Sequence, residues 1–150
     1  MESYDLKNDP HLKILRPLVE ATRAIFEVGD RHIRSMGLTP PQFSVIAELG
    51  GTEGMTAVEL AHATLHAKAS LTGIIDRLVD KGLVERHPIP GDRRAMNVRL
   101  TKKGKAMHKK CFVAQANFVR PYFERALSKK EIPVLQNMLI RLRDSCREER

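Results

Sequence analysis

Cysteine is scarce in this 150-residue chain: Cys111 and Cys146 are the only two, and no CxxC or CxxxC pattern joins them. That argues against a disulfide scaffold and against a cysteine-built zinc site. No apolar run approaches the roughly 18 residues that a membrane span requires. The opening MESYDLKND lacks the shape of an export signal, so the cytoplasm is the expected compartment and no membrane partner is expected. Catalytic motifs are missing as well. There is no phosphate-cradling glycine loop, no GxSxG elbow and no HExxH pair, and the six histidines are scattered. The expectation is a protein that is not an enzyme and carries no cofactor.

What is present is charge, unevenly spread. The formal net charge is +8. Residues 1–65 hold 6 basic and 9 acidic groups, residues 66–105 hold 10 and 4, and residues 106–150 hold 10 and 5. The excess begins at Lys68. On an otherwise ordinary globular composition, concentrated positive charge favours a polyanion, and double-stranded DNA ahead of a membrane surface. A chain of this length is most simply one domain, burying about 68–70% of its unfolded surface.

Asp9-Pro10 supplies a capping residue and a proline for the first helical position. Apolar residues from Leu12 to Met36 then recur at three- and four-residue spacing, a long amphipathic helix ended near Gly37. Its stripe calls for more partner surface than a small domain supplies. Thr39-Pro40-Pro41-Gln42 and Thr56-Ala57-Val58-Glu59 are capping boxes that open two short helices, the first stopped by Gly50-Gly51. A break at Thr64 to Ala67 precedes a fourth helix. It starts about Ala69, carries Leu71, Ile74, Ile75, Leu78 and Val79 as an apolar stripe of which Leu71, Ile74, Leu78 and Val79 are read as inward, and closes at Lys81-Gly82. The period then changes to alternation. Leu83–His87 and Met96–Leu100 read as two strands joined by the turn PIPGDRRA. Thr101 caps a long fifth helix that Pro121 bends. Ser128 and Glu131 box a last one carrying Ile132, Leu135, Leu139, Leu142 and Cys146. The fold class is mainly α with a small β-hairpin, a winged helix-turn-helix core over residues 38–101 flanked by long helices over 9–37 and 102–147.

In such a core the second helix of the motif enters the major groove, while the hairpin reaches the neighbouring backbone or minor groove. Lys68, Ser70, Thr72, Gly73 and Arg77 fall on the outward face or at the N-terminal end of that helix. Small hydroxyls and a glycine allow close approach to base edges, and Lys68 and Arg77 suit phosphates. Adjacent Arg93 and Arg94 repel one another, a cost that a solvated turn has no reason to bear and a DNA-facing wing does. Guanidinium groups fit phosphates and the negative potential of a narrow minor groove. Pro88, Pro90 and Gly91 stiffen the turn, and Asp92 is placed to hold one arginine. A solvated helix face and an incidental charge run account for each of these residues singly, but not for the set.

Several fragments are similar to the MarR family of bacterial transcriptional regulators. They are Leu60-Ala61, Ser70-Leu71-Thr72, Asp76-Arg77-Leu78, Lys81-Gly82-Leu83-Val84-Glu85-Arg86, Asp92-Arg93-Arg94 and Leu100-Thr101-Lys102-Lys103-Gly104. The resemblance implies a homodimer built by the first, fifth and sixth helices, with two winged units on a pseudo-palindromic operator, acting as a repressor. It implies a minor-groove contact by Arg93 or Arg94. It also implies release by a small aromatic or phenolic anion, for which Arg16, Arg23, His32 and Arg34 are the candidate cations. Gly73 departs from the pattern, standing where many relatives carry a longer side chain, and the lack of tryptophan separates the chain from the urate-responsive branch. No cysteine lies near the start of the first helix, where the oxidant sensors of the family keep theirs.

His62 and His66 have metal-compatible spacing, but the helix breaks between them and no third ligand accompanies them, so a DNA-backbone contact is expected instead of zinc. The rival reading is an interaction module for an acidic protein. It is separated from a DNA reader by whether salt-sensitive binding also discriminates between duplexes.

Overall fold

A computed structural model describes residues 9–64, 67–89 and 92–147, with the backbone alone at residues 68 and 92–95. The elements run α1 (Pro10–Ser35), α2 (Pro40–Leu49), β1 (Met55–Thr56), α3 (Ala57–Thr64), α4 (Lys68–Asp80), β2 (Val84–Ile89), β3 (Asp92–Leu100), α5 (Lys102–Ala126) and α6 (Glu131–Arg147). The chain separates into one compact unit ending at Val113 and a second beginning at Ala114. Among the described residues, no helix is long and apolar enough to cross a membrane.

The helix starts follow local chemistry. Asp9 accepts from the N–H groups of His11 and Leu12 at 2.7 and 3.1 Å, satisfying donors that the first turn leaves without partners. Thr39 and Gln42 close a reciprocal capping box on α2. Thr56 and Glu59 do the same for α3, at 3.2 Å from the Glu59 N–H and 2.7 Å from the Thr56 N–H. At α6 the Glu131 carboxylate accepts from the Ser128 N–H at 2.8 Å. Gly82, with φ of +66°, turns the chain out of α4 and into β2. α5 continues through Pro121 as a single helix.

The core of the first unit gathers Val45, Ile46, Leu49, Leu60, Leu71, Ile75, Leu78, Leu83, Val84, Val98, Leu100 and Cys111. Here the expectation for α4 needs correcting. Leu71 and Leu78 are buried as expected, but Ile75 is the third buried residue, Ile74 is half-buried, and Val79 is exposed. Successive helix positions advance by about 100°, which places Ile75 about 40° to one side of Leu71 with Leu78 about 20° to the other, and carries Val79 to about 80°, past the edge of the stripe.

The sheet has three antiparallel strands in the order β1-β3-β2. β1 is too short for a period to register in the sequence, and it pairs Met55 with Val98 and Thr56 with Asn97. The hairpin strands are longer than expected. β2 extends through Pro88 to Ile89 and β3 begins at Asp92, so Asp92, Arg93 and Arg94 belong to a strand and not to the tip of an eight-residue turn. Pro90 and Gly91, which connect the strands, lie outside the described residues. The register runs regularly from Val84↔Leu100 to Pro88↔Met96 and then jumps to Ile89↔Asp92. Arg93, Arg94 and Ala95 therefore stand opposite no residue of β2, a bulge beside a proline that has no N–H to give the ladder.

Candidate nucleic-acid interface

α4 follows α3 closely in the chain and contributes Leu71, Ile75 and Leu78 to the core shared with α2, α3 and the sheet. The opposite face is open. Ser70, Thr72, Gly73, Asp76 and Arg77 are all exposed, so four of the five expected reading residues share one accessible helix face. Lys68 is the first residue of α4, one earlier than expected, and its side chain lies outside the described residues. A Cβ built on Gly73 meets nothing within 4 Å, which makes this the flattest point of the face. Ala67 stands at the N-cap with no side-chain hydrogen bond to the helix, leaving leading N–H groups of α4 for an outside acceptor.

The supports of α4 are polar and specific. The Lys81 ammonium donates to the Gly37 carbonyl at 2.9 Å and to the buried Gln42 Oε1 at 3.1 Å, tying the end of α4 to the α1–α2 connection. Lys103 donates to the Lys81 carbonyl at 2.7 Å, and the Thr101 hydroxyl to the Gly82 carbonyl at 2.7 Å. One link reaches from α4 to the hairpin. Arg86 Nη2 lies 2.7 Å from Asp76 Oδ1. Neither residue was among the expected site residues, because ten positions of sequence separate them and only the packing of β2 beside α4 brings them together.

On the other face of β2, Arg99 Nε donates to Glu85 Oε1 at 2.9 Å and His87 Nε2 lies 3.0 Å from the same oxygen. The His87 approach is a close contact without the alignment of a directed hydrogen bond. His87 and then Arg99 hold the Glu85 carboxyl below the usual carboxylate range.

The expected effector cations are not gathered in one place. Arg16 and Arg23 already pair with Glu20 and Glu27 one helical turn on, at 2.8 and 3.0 Å. Arg16 and Arg34 are 18 positions apart on α1, roughly 27 Å along a helix rising about 1.5 Å per residue. One small molecule does not touch both within one copy of the chain. His62 is exposed on α3, while His66 lies outside the described residues. Cys111 is buried, with its thiol 3.4 Å from Met107 Sδ, and Cys146 is exposed.

A helix-turn-helix with an open polar face, followed by a bulged hairpin, defines the winged helix-turn-helix class of DNA-binding protein. The MarR family model matches residues 36–95. The multiple antibiotic resistance protein MarR of Escherichia coli (strain K12) is 30% identical over 110 residues, covering 73% of this chain and 76% of that protein. The chain belongs to the MarR family of DNA-binding transcriptional regulators. Among solved structures, AbsC, a MarR family transcriptional regulator from Streptomyces coelicolor, superposes with a TM-score of 0.81 at 25% identity, over 94% of this chain and 97% of that one. A mutant E. coli MarR complexed with operator DNA superposes with a TM-score of 0.75 at 26% identity, over 90% and 99% of the two chains.

Proposed function

We propose that two copies of this chain act together as a repressor. Each lays α4 in the major groove of one half of a pseudo-palindromic operator and reaches the adjacent backbone or minor groove with Arg93 or Arg94. The observation that carries the reading is the open face of α4, where Ser70, Thr72, Gly73 and Arg77 lie opposite the buried Leu71, Ile75 and Leu78. A surface with small hydroxyls, no Cβ at its centre and an uncapped positive helix end suits close contact with base edges and phosphates. The placement of Arg93 and Arg94 in a bulge supports the same reading, since bulges re-aim side chains away from the regular pleat.

The dimer follows from what the single chain leaves bare. α1 exposes Leu12, Leu15, Val19 and Phe26, and α6 exposes Leu135, Met138, Leu139 and Leu142. Contiguous apolar surface of this kind calls for a partner, and in the proposal it is a second copy joined through residues 9–37 and 102–147. The two α4 helices are then about 34 Å apart, one turn of DNA. Regulation completes the proposal: a small aromatic or phenolic anion releases the operator. The candidate cations for it are Arg16, Arg23, His32 and Arg34, contributed by one copy or by both.

The test begins with duplex fragments selected from the source genome by the purified protein. Fluorescence anisotropy then compares the parent with Thr72→Ala and with the double variant Arg93→Ala/Arg94→Ala across a salt series. The double variant is expected to weaken binding to all duplexes and to flatten the salt dependence, while Thr72→Ala alters preference among duplexes. Failure to enrich any duplex, or a double variant that binds as the parent does, overturns the reading. Aromatic anions added to the bound complex test the release.

A further inference from the structure

We propose that the Asp76–Arg86 ion pair is a positioning device, fixing the angle at which the hairpin meets DNA relative to α4. The proposal rests on the reading that both α4 and the hairpin touch the duplex.

Among the described residues, the main-chain hydrogen bond that joins the hairpin to α4 lies at its root, where the Leu83 N–H donates to the Leu78 carbonyl at 2.9 Å. Arg86 is farther out. It pairs in register with Val98 and lies on the same side of β2 as the buried Val84, which turns it toward the helix, while Glu85 and His87 take the other side. Among the described residues, no hydrogen bond ties the hairpin to α4 beyond Arg86. His87 and Asn97, the next pair, are half-buried, and Pro88 and Met96 beyond them are exposed. The Arg86 guanidinium therefore makes the outermost strut between the two elements.

The position of Asp76 adds a second argument. It shares the exposed face of α4 with Gly73 and Arg77, where a bare carboxylate repels phosphates. Paired with Arg86, its charge is offset, and the pair contributes direction more than attraction. With side-chain exposures of 32% for Arg86 and 54% for Asp76, the pair is too solvated to carry the stability of the fold. Its effect belongs in the orientation of the outer hairpin relative to α4, since β1 holds β3 only as far out as Asn97, and restricting motion there before binding lowers the ordering cost of the complex.

The experiment uses the full-length protein and a duplex that the parent selects. Asp76→Asn, Arg86→Gln and Arg86→Lys are measured by anisotropy and hydroxyl-radical footprinting, each in the parent and in the Arg93→Ala/Arg94→Ala background, with thermal melts as a fold check. Asp76→Asn and Arg86→Gln are expected to melt near the parent, to bind up to about fivefold more weakly, the scale of an exposed pair, and to lose the minor-groove protection given by the hairpin. Arg86→Lys, which keeps one cationic donor for Asp76, is expected to recover most of the loss. In the background without the two arginines, Asp76→Asn is expected to cost nothing more. Equal weakening in both backgrounds, or unchanged minor-groove protection, overturns the strut. If removing the two arginines has no effect in the parent, the hairpin reading fails first and takes this proposal with it, a result distinct from either of the others.

Discussion

The Cα of Gly104 lies against the main-chain carbonyl of Leu83, so closely that a methyl group at position 104 has no place to go. The glycine is held there because Thr101 caps α5, accepting from the Gly104 N–H at 3.0 Å, while the Thr101 N–H donates to Leu83. Gly104→Ala forces backbone against backbone, and neither side can yield by rotating a side chain. The expected loss is about 1–3 kcal/mol, read from urea unfolding. Gly73→Ala is the contrasting case. Its Cβ enters open space in the interior of α4, so stability is expected to rise by about 0.5–1 kcal/mol. DNA affinity is expected to fall if close approach at this point matters. A stabilised variant that binds unchanged removes Gly73 from the proposed contact surface.

Lys81 is expected to matter for stability out of proportion to its exposure. Lys81→Met removes two charge-assisted hydrogen bonds between the end of α4 and the α1–α2 connection. The buried Gln42 Oε1 keeps the Thr39 N–H at 3.1 Å, so no acceptor is stranded and the expected cost stays near 1 kcal/mol. Thermal melts of Lys81→Met and Lys81→Arg check this, the arginine retaining part of the effect.

Acid sensitivity should arise at the helix caps. The backbone hydrogen bond from Thr56, followed by its hydroxyl, lowers the Glu59 pKa, and Ser128 lowers that of Glu131. A lowered folded pKa means the folded state favours the ionised carboxylate. The contribution to stability is full above the unfolded value of about 4.3 and is lost as pH falls through the lower folded values. Glu59→Gln is therefore expected to melt below the parent at pH 7, with the gap narrowing at strongly acidic pH. A gap that does not change with pH shows that packing, not charge, is responsible.

The two thiols should differ sharply. Burial pushes the Cys111 thiol above its ordinary pKa and closes it to reagents, whereas Cys146 is exposed on the last turns of α6. Alkylation of the native protein followed by peptide mass analysis is expected to mark Cys146 and to spare Cys111 until denaturant is added. Native labelling of Cys111 contradicts its place in the core.

Helix starts were legible in the sequence because each depends on two or three residues within one turn. Asp9, the Thr39–Gln42 box and the Thr56–Glu59 box act at the positions their spacing implies. The inward face of α4 was legible only in part. Periodicity finds the stripe, but whether Ile75 or Val79 occupies its buried edge depends on where α2, α3 and the sheet sit around it. β1, two residues long, carried no signal of its own and exists because β3 offers it a ladder edge. The polar reading face was visible residue by residue, while the strut between Asp76 and Arg86 was not, since nothing in either residue's neighbourhood names the other.

By itself, the sequence determined the element order, the capped helix starts, the concentration of positive charge after Lys68 and the family to which the chain belongs, all of which rest on local spacing or composition. Only the tertiary structure decided the three-stranded sheet, the bulge that carries Arg93 and Arg94 on a strand, the close approach that requires a glycine at position 104, and the link from α4 to the hairpin. Those features depend on which surfaces meet after the chain has folded back on itself, and the distances that result are not written in any single window of residues.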